Sequence, residues 1–283
     1  MQVIEKIKDV SNFIKELKAQ KKTVGFVPTM GFLHEGHLSL MRYAKKVTDV
    51  VVVSIFVNPT QFGPKEDFNA YPRDMEGDKG KCLEAGVDIL FIPSASEIYP
   101  EGYLTYVNVE KIADVMCGAS RAGHFKGVAT IVAKLFNIVK PDKAFFGQKD
   151  YQQAVVIKRM AADLNMDVDI EALPTVREPD GLAISSRNSY LSGAERAAAA
   201  CLYMSLKLAE DRIGKGEKNS AKIIEAMQHI IQAEKLVKID YIAIADTETL
   251  EEVKTIDRKV VIALAVWIGK TRLIDNVIVN PSP

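Results

Sequence analysis

Residues 49–57 constrain the fold more than any other part of the chain. They read DVVVVSIFV, so almost every residue is apolar and most are β-branched. A strand of this kind is normally covered on both faces, as in a parallel sheet with helices on either side. Residues 88–93 (DILFIP) have the same character. Two such runs predict an α/β protein built around a parallel sheet.

Helix-type and strand-type segments alternate around these two runs. Apolar residues at helical spacing predict a helix near the start, at Ile7, Val10, Ile14 and Leu17, and another over residues 128–139. The remaining segments predict strands at 23–28, 143–146 and 168–173, and helices at 38–47, 74–86 and 152–165. Such alternation predicts a Rossmann-like, doubly wound parallel sheet.

The pattern changes near residue 176. Residues 192–195 (SGAE) carry a capping-box signature, and an alanine-rich helix follows. A second helix is predicted at about 221–234, and three strand-type runs at 241–245, 260–267 and 273–279. We therefore expect residues 1–176 to form the larger domain and residues 177–283 to form a second, smaller C-terminal α/β domain.

Composition argues against several classes of protein. The chain has 37 Lys and Arg residues and 37 Asp and Glu residues, so its net charge favours neither a nucleic acid nor a membrane partner. It has no apolar run long enough to cross a bilayer and no signal-peptide pattern. Cys82, Cys117 and Cys201 are widely spaced, which indicates reduced thiols rather than disulfides or a zinc site. We expect a cytoplasmic protein.

A His-x-Gly-His turn follows the first predicted strand, within residues 28–38 (PTMGFLHEGHL). Neither a P-loop nor a G-x-G-x-x-G fingerprint accompanies it. A helix N-terminus attracts anions, Gly36 would let a phosphate approach, and His34 and His37 can face the same pocket. Local hydrogen bonding is the ordinary alternative for one histidine, but two of the four histidines here favour a phosphate site. A helical zinc motif would space its histidines by four.

Two further clusters end predicted strands, where ligands bind in open parallel sheets. After the first, Asn58 and Gln61 are amides that could hold a hydroxylated substrate, although a solvated proline turn is equally consistent. After the second, Lys149 is a candidate phosphate ligand. Asp150 could orient it or accept a hydrogen bond from a magnesium-bound water, and Gln153 could face substrate. The alternative is a helix start capped by Asp150.

Residues 184–188 (ISSRN) place small hydroxyls beside an arginine, a combination that can bind phosphate oxygens but is also common on loops. Residues 118–127 are rich in glycine and basic, which is typical of a mobile loop near the site or simply of a loop.

Taken together, these motifs resemble the nucleotidyltransferase superfamily and, within it, the pantothenate synthetase (pantoate–β-alanine ligase) family. The resemblance rests on PTMGFLHEGH, FVNPTQFG, YPRD, GHFKGV, FGQKDYQQ and VREPDGLAISSRN, which occur in this order between Thr23 and Leu191. One departure is Ile184, where many relatives have methionine, and this change nearly conserves volume.

The resemblance implies an enzyme that joins pantoate to β-alanine and converts ATP to AMP and pyrophosphate through a pantoyl-adenylate. ATP is a substrate, accompanied by Mg²⁺ on its phosphates, and no resident metal is implied. His37, His34 and Lys149 would be catalytic, and Gln61 would hold pantoate and β-alanine. Gln153 would hold pantoate, with Asn58 also contacting substrate. The ATP site would comprise Met30, Gly31, Phe32, Leu33, His34, Glu35, Gly36, His37, Gly147, Gln148, Lys149, Asp150, Val176, Ile184, Ser185, Ser186 and Arg187.

The resemblance also implies a homodimer, and a C-terminal domain that acts as a lid over the reactive adenylate. Two alternatives remain open. One is a nucleotidyltransferase that releases a stable nucleotide-linked product, which the His-x-Gly-His turn fits equally well. The other is an ATP-binding sensor without catalysis, against which intact His34, His37, Lys149 and Arg187 argue.

Overall fold

The computed structural model describes residues 1–64 and 66–281. The chain divides into two compact units. The first comprises Met1–Ala113, Arg121–Gln148 and Gln153–Pro174. The second comprises Asp114–Ser120, Lys149–Gln152 and the chain from Thr175 onward. A division into two continuous domains at residue 176 stays a prediction.

The described residues of the first unit form a six-stranded sheet in which all paired strands are parallel. Its strands are β1 (Gln2–Ile4), β2 (Val24–Thr29), β3 (Val50–Ile55), β4 (Ile89–Phe91), β5 (Lys143–Gly147) and β6 (Asp169–Leu173). Their order across the sheet is β1-β4-β3-β2-β5-β6. The predicted Rossmann-like, doubly wound parallel sheet is therefore confirmed.

The helices connect these strands and continue into the second unit. They are α1 (Ile7–Ala19), α2 (Glu35–Val47), α3 (Met75–Glu84), α4 (Ala95–Ile98), α5 (Cys117–Ser120), α6 (His124–Val139), α7 (Tyr151–Asp163), α8 (Gly193–Ala198), α9 (Ala200–Gly214) and α10 (Ser220–Gln232).

Burial in the first unit follows the sequence pattern. All six residues of β3 are buried, as expected for an apolar strand covered on both faces. On one face, α2 contributes Leu40, Met41 and Ala44 to a cluster that also includes Val51 and Val53. Helix α6 is apolar on most sides and is correspondingly buried along most of its length. These contacts hold the strand ends, and the loops that follow them, in fixed positions.

The second unit is built on an antiparallel sheet of β7 (Val237–Asp246), β8 (Val260–Ile268) and β9 (Thr271–Val279). Helices α9 and α10 pack against this sheet and share its apolar core, which includes Leu206, Met227 and Leu264. The predicted capping box is present, because Ser192 and Glu195 each accept a hydrogen bond from the other's backbone N–H. The alanine-rich helix is two helices, α8 and α9, which meet at Ala199.

Strand β1 was not predicted from the sequence. It has only three residues and pairs with β4, far away in the chain. Too few residues are present for alternation to be visible. Across the described part of the chain, no helix is both long enough and apolar enough to span a bilayer.

Candidate active site

The His-x-Gly-His turn lies where the strand order of the parallel sheet reverses. The chain passes from β2 to β3 and β4 on one side, and later returns to the other side of β2 as β5. Ligands of open α/β sheets bind beyond the strand carboxyl ends at such a switch point. The turn directly follows β2, and α2 begins inside it at Glu35, earlier than the predicted position 38. The motif therefore occupies the position in the sheet that best suits a ligand.

The two histidines of the turn lie against each other. His34 is the N-cap residue of α2, and His37 occupies the third position of the helix. Their ring centroids are 4.1 Å apart and the rings are tilted by 34°. The backbone N–H of His34 donates to Nδ1 of His37 over 3.4 Å. Because Nδ1 accepts this hydrogen bond, a neutral His37 carries its proton on Nε2, which is then the donor atom of the ring.

Gly36 provides space for the ring of His34. A Cβ atom at this position would lie 3.0 Å from both Cε1 and Nδ1 of that imidazole. At the start of a helix, the amides of Glu35 and Gly36 have no acceptor within the helix, and the helix dipole is positive at this end. The turn thus combines two imidazoles with a helix N-terminus, an arrangement that suits phosphate oxygens.

Asn58 and Gln61 form a buried amide pair after β3. Asn58 is 1% exposed, and its Nδ2 donates to Oε1 of Gln61 and to the carbonyl of Gly127, each at 3.1 Å. Its Oδ1 accepts from Tyr99 Oη at 2.8 Å and from Thr60 Oγ1 at 3.0 Å. Burial raises the pKa of Tyr99 to about 12, so its hydroxyl stays protonated. These contacts orient the side chain of Gln61.

Gln61 connects the amide pair to the loop before α2. Its Nε2 lies 3.1 Å from Sδ of Met30, a weak acceptor. Because Oε1 already accepts from Asn58, Nε2 is the part of this amide best suited to bind a substrate oxygen. The structure therefore places Met30, Asn58 and Gln61 together near the His34 turn.

A second network supports the backbone of Gln61, and sequence reasoning did not assign it to the site. Nδ1 of His124 lies 2.8 Å from the Gln61 carbonyl, and Nε2 lies 3.0 Å from Arg121. Arginine only donates, so Nε2 accepts and the Nδ1–H donates to Gln61. Arg121 also makes two hydrogen bonds to Glu66, at 2.7 and 2.6 Å. Although burial opposes it, Arg121 lowers the pKa of Glu66.

In the sequence, the available signal for this network was the basic, glycine-rich stretch 118–127, which was interpreted as a mobile loop near the site or simply as a loop. The structure shows that its last residues open α6, with Gly123 as the N-cap. Arg121 and His124, which support Gln61, were not distinguishable from surface charges in the sequence, because their partners lie about 60 residues away in the chain.

The motif 146–153 is divided between the two units. Gly147, Gln148 and Gln153 belong to the first, whereas Lys149 and Asp150 belong to the second. Residues Gln148–Asp150 form a 3-10 turn after β5. The Lys149 ammonium lies 3.7 Å from the Asp150 carboxylate, and its side chain is 19% exposed against 48% for Asp150. A largely covered lysine with a nearby carboxylate is a suitable phosphate ligand.

The Ser-Ser-Arg segment lies in the second unit. Ser185 caps a 3-10 helix, Ser186–Tyr190, and its Oγ accepts from the N–H of Arg187 at 3.3 Å. The backbone N–H of Ile184 donates to the carbonyl of Val176 at 3.0 Å. Val176 and residues 184–187 are therefore neighbours, as the resemblance implies for parts of one site.

A buried ion pair holds the start of this segment. Arg177 donates to both carboxylate oxygens of Asp275, at 2.6 and 3.0 Å, and its guanidinium stacks on the ring of Tyr203. Burial raises the pKa of Asp275, while Arg177 opposes the rise. The adjacent Asn276 donates from Nδ2 to the carbonyl of Lys149 at 2.8 Å. Residues 275–276 of β9 thus support both Lys149 and the Ser-Ser-Arg segment.

Asp275 and Asn276 were not singled out in the sequence. The signal was available, because a polar pair interrupts the otherwise apolar end of β9 (LIDNVIV). Buried polar residues normally have a specific partner. Among the described residues, no group of three or more His, Cys, Asp or Glu side chains could hold a metal ion.

Comparison with known proteins agrees with this geometry. The model of the family described as pantoate-beta-alanine ligase matches residues 2–278. The chain belongs to this family. The match extends well beyond the motifs between residues 23 and 191, and it includes the C-terminal part, in which no recognisable motif was found.

Members of the family are similar to this chain along its whole sequence. A pantothenate synthetase of Caldicellulosiruptor saccharolyticus is 57% identical over 280 residues, covering 99% of this chain and 100% of that protein. One from Thermotoga petrophila is 57% identical over 281 residues, with 99% and 100% coverage. The similarity therefore extends along the whole of both proteins.

Solved structures of family members have the same fold. The pantothenate synthetase of Thermus thermophilus has a TM-score of 0.94 at 44% identity, covering 98% of this chain and 99% of that one. A pantoate-beta-alanine ligase from Francisella tularensis, solved in complex with beta-gamma ATP and β-alanine, has a TM-score of 0.82 at 36% identity. That match covers 100% of both chains. The chain is an enzyme of this ligase family, as its sequence motifs indicated.

Proposed function

We propose that this ligase joins pantoate to β-alanine in an ATP-dependent reaction through a pantoyl-adenylate, releasing AMP and pyrophosphate. The observation that carries the proposal is the His-x-Gly-His turn at the switch point of the parallel sheet, in a chain of this family. The Francisella relative, which binds a nucleotide and β-alanine in its solved complex, supports two of the three substrates.

The chemistry requires activation of the acid. A carboxylate does not condense with an amine in water, because its hydroxide is a poor leaving group. Attack of the pantoate carboxylate on the α-phosphorus of ATP forms a mixed anhydride and breaks the bond to pyrophosphate. The β-alanine amine then attacks the carbonyl carbon and loses a proton, and AMP leaves with the electrons of the broken C–O bond. Negative charge develops on the α-phosphate and on the departing pyrophosphate in the first step.

Positive groups and hydrogen-bond donors would stabilise that charge. We assign this role to His34, His37, Lys149 and Arg187, with Ser185 and Ser186 as further donors. The proton on Nε2 of His37, fixed by its Nδ1 contact, makes this histidine the leading catalytic residue. Mg²⁺ bound with the nucleotide would neutralise phosphate charge. The half-exposed carboxylate of Asp150 suits a hydrogen bond from a metal-bound water.

The buried amides would bind the acid. We propose that Nε2 of Gln61 binds pantoate and β-alanine, and that Gln153 binds pantoate. For Asn58 the observed hydrogen bonds favour support of Gln61, and direct contact of Asn58 with substrate stays a prediction. The remaining ATP contacts proposed from the motifs are Met30, Gly31, Phe32, Leu33, Glu35, Gly36, Gly147, Gln148, Val176 and Ile184.

Exchange of labelled pyrophosphate into ATP tests the proposal. With pantoate present and β-alanine absent, we expect label to enter ATP, because adenylate formation is reversible. Omitting pantoate should abolish the exchange. When β-alanine is added, AMP and pantothenate should accumulate in equal amounts.

Other outcomes distinguish the alternatives. A stable nucleotide-linked product that persists with β-alanine would identify a nucleotidyltransferase rather than a ligase. ATP binding with neither exchange nor turnover would identify a sensor. The homodimer, the cytoplasmic location and the lid role of the C-terminal part stay predictions, and sedimentation of the purified chain addresses the first of them.

A further inference from the structure

The loop between β2 and α2 has an unusual backbone. Gly31 and Phe32 have φ values of 81° and 51°, in the left-handed region. This region suits glycine, but a bulky residue such as Phe32 adopts it only when the surroundings impose it. The next residues are Leu33 and His34, so the position of both histidines depends on how this loop is held.

Four consecutive backbone N–H groups of the loop each donate to a side chain. Gly31 donates to Oγ1 of Thr29 at 3.2 Å, and His34 donates to His37 at 3.4 Å. Between them, Phe32 donates to Oδ2 and Leu33 to Oδ1 of Asp78, both at 2.7 Å. One carboxylate therefore accepts the two shortest of the four hydrogen bonds.

Asp78 comes from α3, 46 residues beyond Phe32 in the chain. It is 1% exposed, so its carboxylate depends on these donors for compensation of its burial. From the next turn of the same helix, Nζ of Lys81 donates to the carbonyl of Leu33 at 2.8 Å. Helix α3 thus binds Leu33 through both its N–H and its C=O. A Cβ at Gly31 would lie 2.9 Å from Oδ2 of Asp78, so the carboxylate packs directly on the loop.

These hydrogen bonds determine which groups can meet a phosphate. The N–H groups of Phe32 and Leu33 already bind Asp78, so the loop does not offer them to a ligand. Instead, the loop positions the two imidazoles and the first backbone amides of α2, and these groups are the ones that can contact a phosphate. We propose that Asp78 is a positioning residue for the adenylation step, which holds the loop so that His34 and His37 meet the phosphates of ATP. This inference rests on the function proposed above.

A purely structural role makes a different prediction. If Asp78 only stabilised the fold, replacing it would lower the melting temperature but leave the folded enzyme with normal rate constants. If it positions the histidines, the chemical step suffers even in fully folded protein. Misplacement of catalytic groups by about 1 Å costs roughly 10²-fold in rate.

The test variant is Asp78→Asn, which keeps the shape but turns an NH₂ group towards one of the two backbone donors. We expect its kcat for pantoate-dependent pyrophosphate exchange to fall about 100-fold, with KM for pantoate within about threefold of the wild type. The matched control is Asp74→Asn in the same helix. Asp74 caps α3 by accepting from Gly77 rather than from the loop, and asparagine is an equally good cap. The kcat and KM of Asp74→Asn should therefore be unchanged.

A double-mutant cycle with His37→Ala separates positioning from general damage. If Asp78 acts through the histidine, Asp78→Asn should lower the rate of His37→Ala by no more than about threefold, because residues acting as a unit are not additive. A full 100-fold loss in both backgrounds would overturn the proposal. So would a lowered melting temperature with unchanged kcat.

Lys81→Met covers the case in which Asp78→Asn does not fold. It removes only the hydrogen bond to the Leu33 carbonyl, so we expect a smaller loss in kcat, about tenfold, and unchanged kcat would then overturn the proposal. Exchange measured with the wild-type enzyme distinguishes failure of the proposed function from failure of the role of Asp78. Absence of pantoate-dependent exchange in the wild type contradicts the proposed function, whereas normal exchange with normal variants contradicts only the role of Asp78.

Discussion

His37 combines two properties that a catalytic donor needs. Its Nδ1 accepts from the backbone of His34, and its ring lies against the other imidazole at a tilt of 34°, so both the tautomer and the orientation are constrained. Constraint before substrate binding is the basis of electrostatic catalysis, because no reorganisation is needed as charge develops.

Replacement of this side chain should therefore impair adenylation selectively. For His37→Ala we expect pyrophosphate exchange to slow by about 10²–10³-fold, equivalent to roughly 2.7–4 kcal/mol of lost transition-state stabilisation. His229→Ala is the matched control, since His229 is exposed on α10 and bonds locally, to the carbonyl of Glu225. A near-normal exchange rate in His37→Ala would remove this histidine from the mechanism.

The glycine of the motif gives a second prediction at this scale. In Gly36→Ala the new Cβ would lie 3.0 Å from the ring of His34, so the ring must shift by a few tenths of an ångström. We expect exchange to slow about tenfold, while the free energy of unfolding rises by up to about 1 kcal/mol, because alanine favours a helix. Exchange assays and chemical denaturation measure the two effects.

Gly80→Ala is the control for this substitution. Gly80 lies inside α3, and no atom of the described residues is within 4 Å of a Cβ built there. It should show a similar gain in stability with unchanged exchange. Loss of activity in both variants would indicate that helix stiffness, rather than the position of His34, is responsible.

At the scale of helices and strands, the sequence predicted the elements that leave a local pattern of apolar residues. The run of β3 was identified because a strand covered on both faces is apolar throughout, and α6 because apolar residues recur at helical spacing. Strand β1 was missed, since three residues carry no period. Asp78, His124 and Asp275 were missed for a different reason. Each acts on a partner between 45 and 98 residues away, and no local pattern marks such a contact.

The turn after β7 gives a prediction about pH. Oδ1 of Asp246 accepts from the N–H groups of Glu248 and Thr249, and Arg258 donates to Oδ2. The backbone donors, followed by Arg258, lower the pKa of Asp246 to about 2. A carboxyl whose pKa is lower in the folded chain stabilises the fold above its unfolded pKa, about 3.9, and loses that effect as pH falls towards 2.

We therefore expect Asp246→Asn to lower the melting temperature at pH 7 by about 2 °C or less, because Arg258, the charged partner of Asp246, is more than half exposed. The difference from wild type should shrink between pH 5 and pH 3. Thermal melts across this range measure it, with Asp257→Asn as the control. Asp257 contacts the same arginine and is more exposed, and its substitution should have little effect at any pH. A difference that grows on acidification would contradict the assignment.

At the scale of the whole molecule, each of the two units has an apolar core of its own among the described residues. One lies in the parallel sheet unit and the other around β7, β8 and β9. The motifs that identified the family lie before residue 192, and of the buried residues of the second core only Leu182 belongs to one of them. Many apolar residues of suitable volume can fill the same core, whereas a chemical site needs particular residue types. The sequence of a core is therefore harder to recognise than that of a site. The resemblance to the family therefore rested on the site motifs, while the C-terminal part was predicted only as two helices followed by three strands.

Each of the two cores contains a buried cysteine, so thiol labelling can measure the opening of each core separately. All three are free thiols, and Cys82 belongs to the first core while Cys201 belongs to the second. Burial, with a smaller contribution from Asp78 for Cys82 and Glu234 for Cys201, raises the pKa of both thiols to about 12. At pH 8 such a thiol is ionised about a thousandfold less than an exposed one, and only the thiolate reacts with alkylating reagents.

We expect iodoacetamide to label Cys82 and Cys201 in native protein at least about 1,000-fold more slowly than in guanidinium, with rates measured by mass spectrometry of the peptides. Ser96→Cys supplies the positive control, because Ser96 is exposed and its replacement should be labelled at the denatured rate without denaturant. Addition of a reductant should change neither the melting temperature nor the labelling of the native chain, since no disulfide is involved. Rapid native labelling of only one of the two buried thiols would show that its core opens on the timescale of the reaction while the other stays closed.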